Sequence, residues 1–470
     1  MLTRLRVKGF KSLVDVDVRF GAFTCIAGAN GAGKSNLFDA ICFLSALADK
    51  SLLESAQAVR DETDVRSLFH RSGAYSAQQM VFEAEMVVPA YVVDDFGREA
   101  SVGRTYLSYS LILAYRDDPQ KPLEITEERL RYLNKSEVRK DLAFAKPTWH
   151  TTAIQSSGGD RLPPIETNPD GSITQRGTGR PRIERRRLER TILSNSNSIE
   201  TAAALAVRRE MQSWRLLQLE PSALRQSDRF NAPDYLGANG EHLAATLWRL
   251  ARADENVYAR VANHLSKLLD DVRNLSVDQD EIRQLLTVQV TGQDGTTHPA
   301  RALSDGTLRF LALAVLSEDP QTLGVLCLEE PENGIHPSRI PFIINLLESI
   351  AVDTEEPVDK SNPLRQVIVN THSPLVVQTV PDDSLLFTSW QETIHHNQRV
   401  KQTIFKPLPH TWRHQQAPNQ PTIAKGELIA YLSAIMPNED FNLPIAPPET
   451  VKRRVADREE VRQLKLELGI

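Results

Sequence analysis

The sequence predicts an α/β fold: a mixed sheet around a phosphate-binding loop, an antiparallel flank, and a mostly helical insertion. Three observations carry that prediction. A glycine-rich turn, GANGAGKSN (28–36), joins an apolar run, FTCIA, to a helical pattern, LFDAICFL. Two later apolar runs, LGVLCLEEPE and QVIVNTHS, read as buried strands that end in polar or charged residues. Runs of strict apolar–polar alternation lie to either side of the glycine turn, with the period of half-buried antiparallel strands.

Composition bounds the answer. At 470 residues the chain can bury a sizeable core and hold more than one domain, or one domain with insertions. A net charge of −6 argues against whole-molecule attraction to nucleic acid or anionic lipid, while leaving room for a local basic patch. No stretch approaches the ~20 apolar residues of a membrane span. The first residues, MLTRLRVKGFKS, lack an apolar signal core, so a cytoplasmic protein with no membrane partner is expected. Cys25, Cys42 and Cys327 sit in apolar runs without short spacing, which reads as buried thiols rather than a disulfide or zinc framework.

Taken in order, VDVDVRF alternates Val14, Val16, Val18 and Phe20 with Asp15, Asp17 and Arg19, as a half-buried strand does. FTCIAG is a buried strand ending at Gly28, and Leu37, Ile41, Leu44 and Leu47 mark a helix from Ser35 to about residue 48. VFEAEMVV (Phe82, Ala84, Met86, Val88) and YLSYSLILAY (Leu107, Tyr109, Leu111, Leu113) predict an antiparallel pair. Residues 147–182, rich in Pro, Gly, Ser and Thr, read as an inserted loop. RIERRRLERTIL, SIETAAALAVRREMQSWRLL and EHLAATLWRLARADENVYARVANHLSKLLDDV then read as helical, with no sustained heptad. LLTVQV, the helix LSDGTLRFLALAVLS, and the two buried strands resume the core. SLLF and QTIF are short strand-like runs before a charged tail, VKRRVADREEVRQLKLELGI.

Four motifs carry chemistry. Gly28, Gly33, Lys34 and Ser35 satisfy G-x-x-x-x-G-K-[ST]. In that pattern the backbone of Asn30, Gly31, Ala32, Gly33, Lys34, Ser35 and Asn36 cradles the phosphates at a helix N-terminus. Lys34 reaches the β and γ phosphates, and Ser35 binds Mg²⁺. Glu329 and Glu330 end a buried strand, where α/β sheets bind ligands. Their expected division of labour is Glu329 towards Mg²⁺ and Glu330 as general base for the attacking water. Ser304, Asp305, Gly306 and Thr307 open a helix as an anion-friendly cap. His372 ends the second buried strand, placed to donate to a γ-phosphate or to hold the attacking water.

The order of these motifs resembles the ATPase head of the ABC superfamily. It is most similar to the soluble AAA-type branch that holds the chromosome-maintenance and recombination ATPases and the overcoming-lysogenization-defect ATPases. The likeness covers residues 1 to about 48 and 284 to about 390. It implies a P-loop NTPase head of ABC type, divided as residues 1–115 (first half, with the phosphate loop and antiparallel strands), 116–283 (insertion, loop-rich then helical), 284–390 (second half) and 391–470 (C-terminal extension). It further implies ATP and Mg²⁺ as cofactors, and a homodimer or higher homo-oligomer. In that assembly Ser304, Asp305 and Gly306 contact the γ-phosphate held by the opposite subunit, Glu332 to His336 cross the interface, and His372 is the switch histidine. Gln218, with Gln226 as the alternative, is the expected glutamine beside the metal.

Two positions depart from the family pattern. Glu329 stands where an aspartate is usual, and His336 where transporters of the superfamily carry aspartate. No E…DxD arrangement after residue 380 would build a toprim nuclease domain, so an effector or nuclease would be a separate protein. The implied activity is an ATP-hydrolysing switch in anti-phage defence or DNA maintenance. The rival readings are a nucleotide-gated scaffold with little turnover and an ATP-dependent DNA-repair clamp. For DNA as a partner the available signal is RPRIERRRLER, with Arg180, Arg182, Arg185, Arg186, Arg187 and Arg190, although Glu184 and Glu189 offer it pairing partners. His395, His396, His410 and His414 lack a third ligand in view, so no metal site is expected there.

Overall fold

The computed structural model describes residues 1–60, 64–73, 75–157, 162–177, 182–269, 271–395, 398–433, 454–459 and 461–463. The chain opens with a hairpin, β1 (Leu2–Phe10) and β2 (Leu13–Arg19), that buries Leu5, Val7, Val16 and Val18 and exposes the charges between them. β3 (Phe23–Ala27), buried throughout, hands over through the glycine turn to α1 (Lys34–Leu47). β4 (Gln79–Val87), β5 (Tyr106–Tyr115) and β6 (Leu123–Tyr132) are long; β7 (Ile165–Thr167), β8 (Ser172–Gln175) and β9 (Ile183–Glu184) are short. α2 (Ala202–Gln212), β10 (Arg215–Leu217), α3 (Leu243–Ala253) and α4 (Val257–Ser266) lead to the paired strands β11 (Val272–Asp280) and β12 (Leu285–Gly292). The rest alternates: α5 (Asp305–Glu318), β13 (Gly324–Glu329), α6 (Ile340–Ile350) and β14 (Arg365–Thr371), then a hairpin of β15 (Leu385–His395) and β16 (Gln398–Pro407).

Two sheets position the site. The antiparallel one runs β9-β8-β7-β6-β5-β4-β1-β2, and its register sets Phe82 opposite Leu111 and Val7 opposite Phe82. The mixed one runs β10-β13-β14-β3-β15-β16; all neighbours are parallel except the last pair. Its central strands read as unbroken apolar runs because each face is covered. Ile26, Cys327, Ile368 and Leu386 face one core with α1 and the antiparallel sheet, while Cys25, Leu328, Val369 and Phe387 face the other, among α3 to α6. Phe10, Phe43 and Phe82 lock α1 to the antiparallel sheet, their ring centroids 5.6–6.0 Å apart. Each such buried ring is worth about 1.5–3 kcal/mol of transfer free energy.

Local readings differ from the structure in four places. Residues 147–182, read as an inserted loop, hold a helix at Pro147–Ala153 and the strands β7 and β8, which extend the antiparallel sheet. RIERRRLERTIL is not helical: Ile183–Glu184 form an edge strand, with Ile183 opposite Ile173, and Arg185–Arg187 make a tight turn. Pairing to an open sheet edge outweighs the helical spacing of its leucines and arginines. The long pattern from 241 breaks into two helices at Asp254, and Val272 already lies in a strand. SLLF and QTIF are parts of one long hairpin, in which Leu386 faces Pro407 and His395 faces Gln398. Between 116 and 283 the chain supplies helices α2, α3 and α4 and also strands of both main sheets. Among the described residues no helix is long and apolar enough to cross a membrane. Arg180, His396 and most of the charged tail lie outside the described residues.

Candidate active site

The loop after β3 is shaped by glycine. Gly33 has φ +93°, and a Cβ there would lie 2.1 Å from Thr403 Oγ1 and 2.8 Å from Ser12 Oγ. Only a residue without a side chain lets the chain turn this close to β16 and still begin α1 at Lys34. The Lys34 side chain is folded back over the loop, its Nζ donating to the Gly28 and Ala29 carbonyls at 2.7 and 3.0 Å. Burial lowers its pKa, against Glu330, Glu332 and Glu329, which favour the charged form. At the far end of the loop Asn36 Nδ2 donates to Ser12 Oγ at 2.7 Å.

β13 and β14 deliver the acidic side. Glu329 ends β13 and accepts from Arg60 Nη2 and Gln218 Nε2, both at 3.1 Å, and from Asn370 Nδ2 at 3.3 Å. Burial pushes its pKa up, but hydrogen bonds from Ser35 and Gln218 and the Arg60 guanidinium outweigh this and hold it below the usual carboxylate value. Glu330 is forced into the left-handed region, with φ +47°, between the end of β13 and Pro331. That conformation costs about 1–2 kcal/mol for a residue with a Cβ. Its amide is held by Asn370, donating to the backbone oxygen at 3.0 Å and to Oδ1 at 3.2 Å. The strain turns the carboxylate outward, where Oε1 meets His372 Nδ1 at 2.6 Å and Oε2 accepts from Asn333 Nδ2 at 2.8 Å. Behind them Glu332 is buried and receives a hydrogen bond from Thr371, and burial raises its pKa.

Gln218 reaches Glu329 because β10 pairs in parallel with β13, setting Leu217 beside Leu328. Gln226 instead donates to Ser222 O, within its own turn. Ser304 caps α5 by accepting from the Thr307 amide, Asp305 pairs with Arg225, and Gly306 packs against the next loop. A Cβ on Gly306 would meet Gly334 O at 2.2 Å, so this helix start and the loop after Glu330 touch backbone to backbone. Arg309, one turn further on, donates from Nε to Leu219 O at 3.1 Å and from Nη1 to Asn333 O at 2.6 Å. It thus bridges the Gln218 turn to the residue that holds Glu330.

These groups surround a cleft of about 670 Å³ lined by the phosphate loop, residues 217–220, Arg309, Leu313, residues 328–331, Asn333 and Asn370. Ser304, Asp305 and Gly306 do not line it. Ser35, Glu329 and Gln218 form a hard-oxygen set with a single carboxylate. Among the described residues no cluster of three or more His, Cys, Asp or Glu could hold a metal. Such a set suits Mg²⁺, which takes one or two carboxylates together with substrate phosphates. Sequence reasoning missed Arg60, Arg309 and Asn370, and placed Asn333 at the interface rather than on Glu330. Asn370 and Asn333 lay within the quoted motifs, whereas Arg60 and Arg309 carry no local signal. The His410 backbone amide donates to His414 Nδ1 at 3.3 Å, within one turn. Four arginines of the run have local partners, Arg182 with Asp170, Arg185 with Thr126 O, Arg187 with Glu184 and Arg190 with Asp49 O, while Arg182 and Arg187 stay exposed.

Known proteins resemble the chain in two separate stretches. Residues 1–98 match the RecF/RecN/SMC N terminal domain. Residues 162–378 match the family described as "AAA domain, putative AbiEii toxin, Type IV TA system". The DNA replication and repair protein RecF of Bacteroides thetaiotaomicron is 35% identical over 79 residues, which is 17% of this chain and 21% of that protein. The chain therefore matches only about a fifth of that relative's length. Similar solved structures include an Smc head bound to the C-winged helix domain of ScpA (15% identity, 87% of this chain and 98% of that one, TM-score 0.45). Another is the SMC head domain from Thermotoga maritima (12% identity, 87% and 98%, TM-score 0.37). The two family matches take in every residue that lines the cleft. Together with that site, the two matches support an ATPase head of RecF/SMC type within the ABC superfamily.

Proposed function

We propose that the protein hydrolyses ATP to ADP and phosphate in a Mg²⁺-dependent reaction, and that ATP closes two copies of the chain face to face. The observation that carries the proposal is the Glu330 carboxylate, gripped by His372 and Asn333 at the mouth of the phosphate loop. Lys34 and the loop amides of Asn30 to Asn36 would hold the β and γ phosphates. Ser35 and Glu329, with Gln218, would hold Mg²⁺, whose charge neutralises the phosphate oxygens. Glu330 takes a proton from the attacking water as its oxygen bonds to the γ-phosphorus and the bond to the ADP oxygen breaks. His372 orients that carboxylate. Ser304, Asp305 and Gly306 stand outside their own cleft, which favours a role across the interface, on the γ-phosphate of a second copy. ATP would then touch both copies and ADP only one, so nucleotide state biases assembly.

The RecF and SMC likenesses support DNA maintenance, and anti-phage defence rests on the resemblance of the motif order to the overcoming-lysogenization-defect ATPases. In either setting the head would act in the cytoplasm, where ATP is held, on a separate effector protein.

Mixing two inactive variants tests the shared site. Lys34→Ala removes nucleotide binding and Ser304→Arg blocks the facing loop, so each alone should lose phosphate release. Mixed, heterodimers rebuild one intact site, and activity should reappear. Additive inactivity in the mixture would rule out the composite site.

A further inference from the structure

The cleft that would take the triphosphate has no aromatic side chain among its described lining residues, so nothing in it offers a face to a base. The hairpin of β15 and β16 supplies one next door. Thr403 on β16 lies against Gly33 and bonds Ser12 Oγ at 2.8 Å through its own Oγ1. Ser12 in turn receives Asn36, the last residue of the phosphate loop. The residue paired directly with Thr403 is Trp390. Opposed residues of an antiparallel pair share a face, about 5 Å apart. Trp390 is therefore one cross-strand step from a side chain that touches the loop.

Its exposure is the second observation. On the same face Thr388, Thr403 and Phe405 are buried, whereas Trp390 is 36% exposed. The Lys401 ammonium stands 5.3 Å from its ring centroid, which fixes the ring and adds a positive charge beside the loop. The open part of the indole is a flat apolar face of the kind on which a base stacks.

We propose that Trp390, flanked by Lys401, is the platform on which the base of the bound nucleotide stacks, past Asn36 and Ser12 and outside the phosphate cleft. The proposal rests on the nucleotide reading of that cleft. Stacking on an aromatic side chain contributes little to phosphate binding and much to base binding, so the two can be separated with ligands that are not turned over.

Titration calorimetry with ADP and with inorganic pyrophosphate, on the wild type, Trp390→Leu and Trp390→Phe, makes the test. Leucine keeps apolar bulk without a π face, and phenylalanine keeps both. Trp390→Leu should weaken ADP about tenfold and leave pyrophosphate unchanged, while Trp390→Phe stays within about threefold of the wild type for ADP. Equal loss of both ligands, or no loss of ADP, overturns the platform. A wild type that binds pyrophosphate as tightly as ADP also overturns it, with the phosphate site intact. A wild type that binds neither overturns the nucleotide reading and the platform with it.

Discussion

Replacing Glu330 by glutamine isolates the proposed base. Glutamine keeps the length, the shape and one acceptor oxygen, and it can occupy the same left-handed backbone at φ +47°. In the wild type both oxygens accept, one from Asn333 Nδ2 at 2.8 Å and the other facing His372 Nδ1 at 2.6 Å. In the variant the amide nitrogen must face one of them. The imidazole answers by changing tautomer, so the ground state loses at most one hydrogen bond, about 1 kcal/mol. Nucleotide affinity should then change by no more than about fivefold. The proton acceptor is gone, however, and a general base is worth about 10²–10⁴ in rate, roughly 3–5 kcal/mol of barrier. Single-turnover hydrolysis, paired with a binding isotherm, reads the two effects separately. A catalytic rate within tenfold of the wild type would refute Glu330 as the base.

Three further outcomes follow from the contacts. Gly33→Ala drives a Cβ into Thr403 Oγ1 at 2.1 Å; overpacking of this kind costs about 1–3 kcal/mol, so pyrophosphate binding should vanish while far-UV circular dichroism is kept, and retained binding would contradict the loop geometry. Arg309→Ala removes donors to Leu219 O and Asn333 O; the catalytic rate should fall about tenfold or more with ADP affinity little changed, and Arg309→Lys should not rescue it, because one ammonium cannot span both carbonyls. Glu128 is fully buried and its pKa is raised to about 7 by desolvation, against hydrogen bonds from Ile192, Leu193 and Tyr109. The folded state therefore holds a proton that the unfolded state releases from about pH 4.5. This contribution is present below that pH and is lost as pH rises to about 7, by roughly 3 kcal/mol. Glu128→Gln should flatten the fall in melting temperature between pH 5 and 7.5, and an unchanged slope would contradict the assignment.

How far the sequence could be read depends on whether a residue's signal is local. Gly28 to Asn36 are legible because a phosphate cradle demands fixed spacing between a strand and a helix. Glu329, Glu330 and His372 are legible because an apolar run that stops at a charge marks a strand end. Gln218 directly follows a three-residue strand that only parallel pairing with β13 creates, so the family likeness, not periodicity, pointed to it. Arg309 reads as a lone charge inside the apolar helix LRFLALAVLS, and its two carbonyl partners lie 90 and 24 residues away. Arg60 likewise joins Asp39 to Glu329, 269 residues apart in the chain from it. The run at 182–193 misleads for the opposite reason. Its helical spacing is real, but a free sheet edge beside it is satisfied by Ile183.

The central claim, that ATP joins two copies through Ser304, is tested most directly by sedimentation velocity of Glu330→Gln protein in Mg-ATP and in ADP, alongside the Glu330→Gln/Ser304→Arg double variant. A dimer is expected in Mg-ATP alone, and monomers for the double variant in both nucleotides. A species whose mass is the same in ATP and ADP, or a dimer that survives Ser304→Arg, would contradict it.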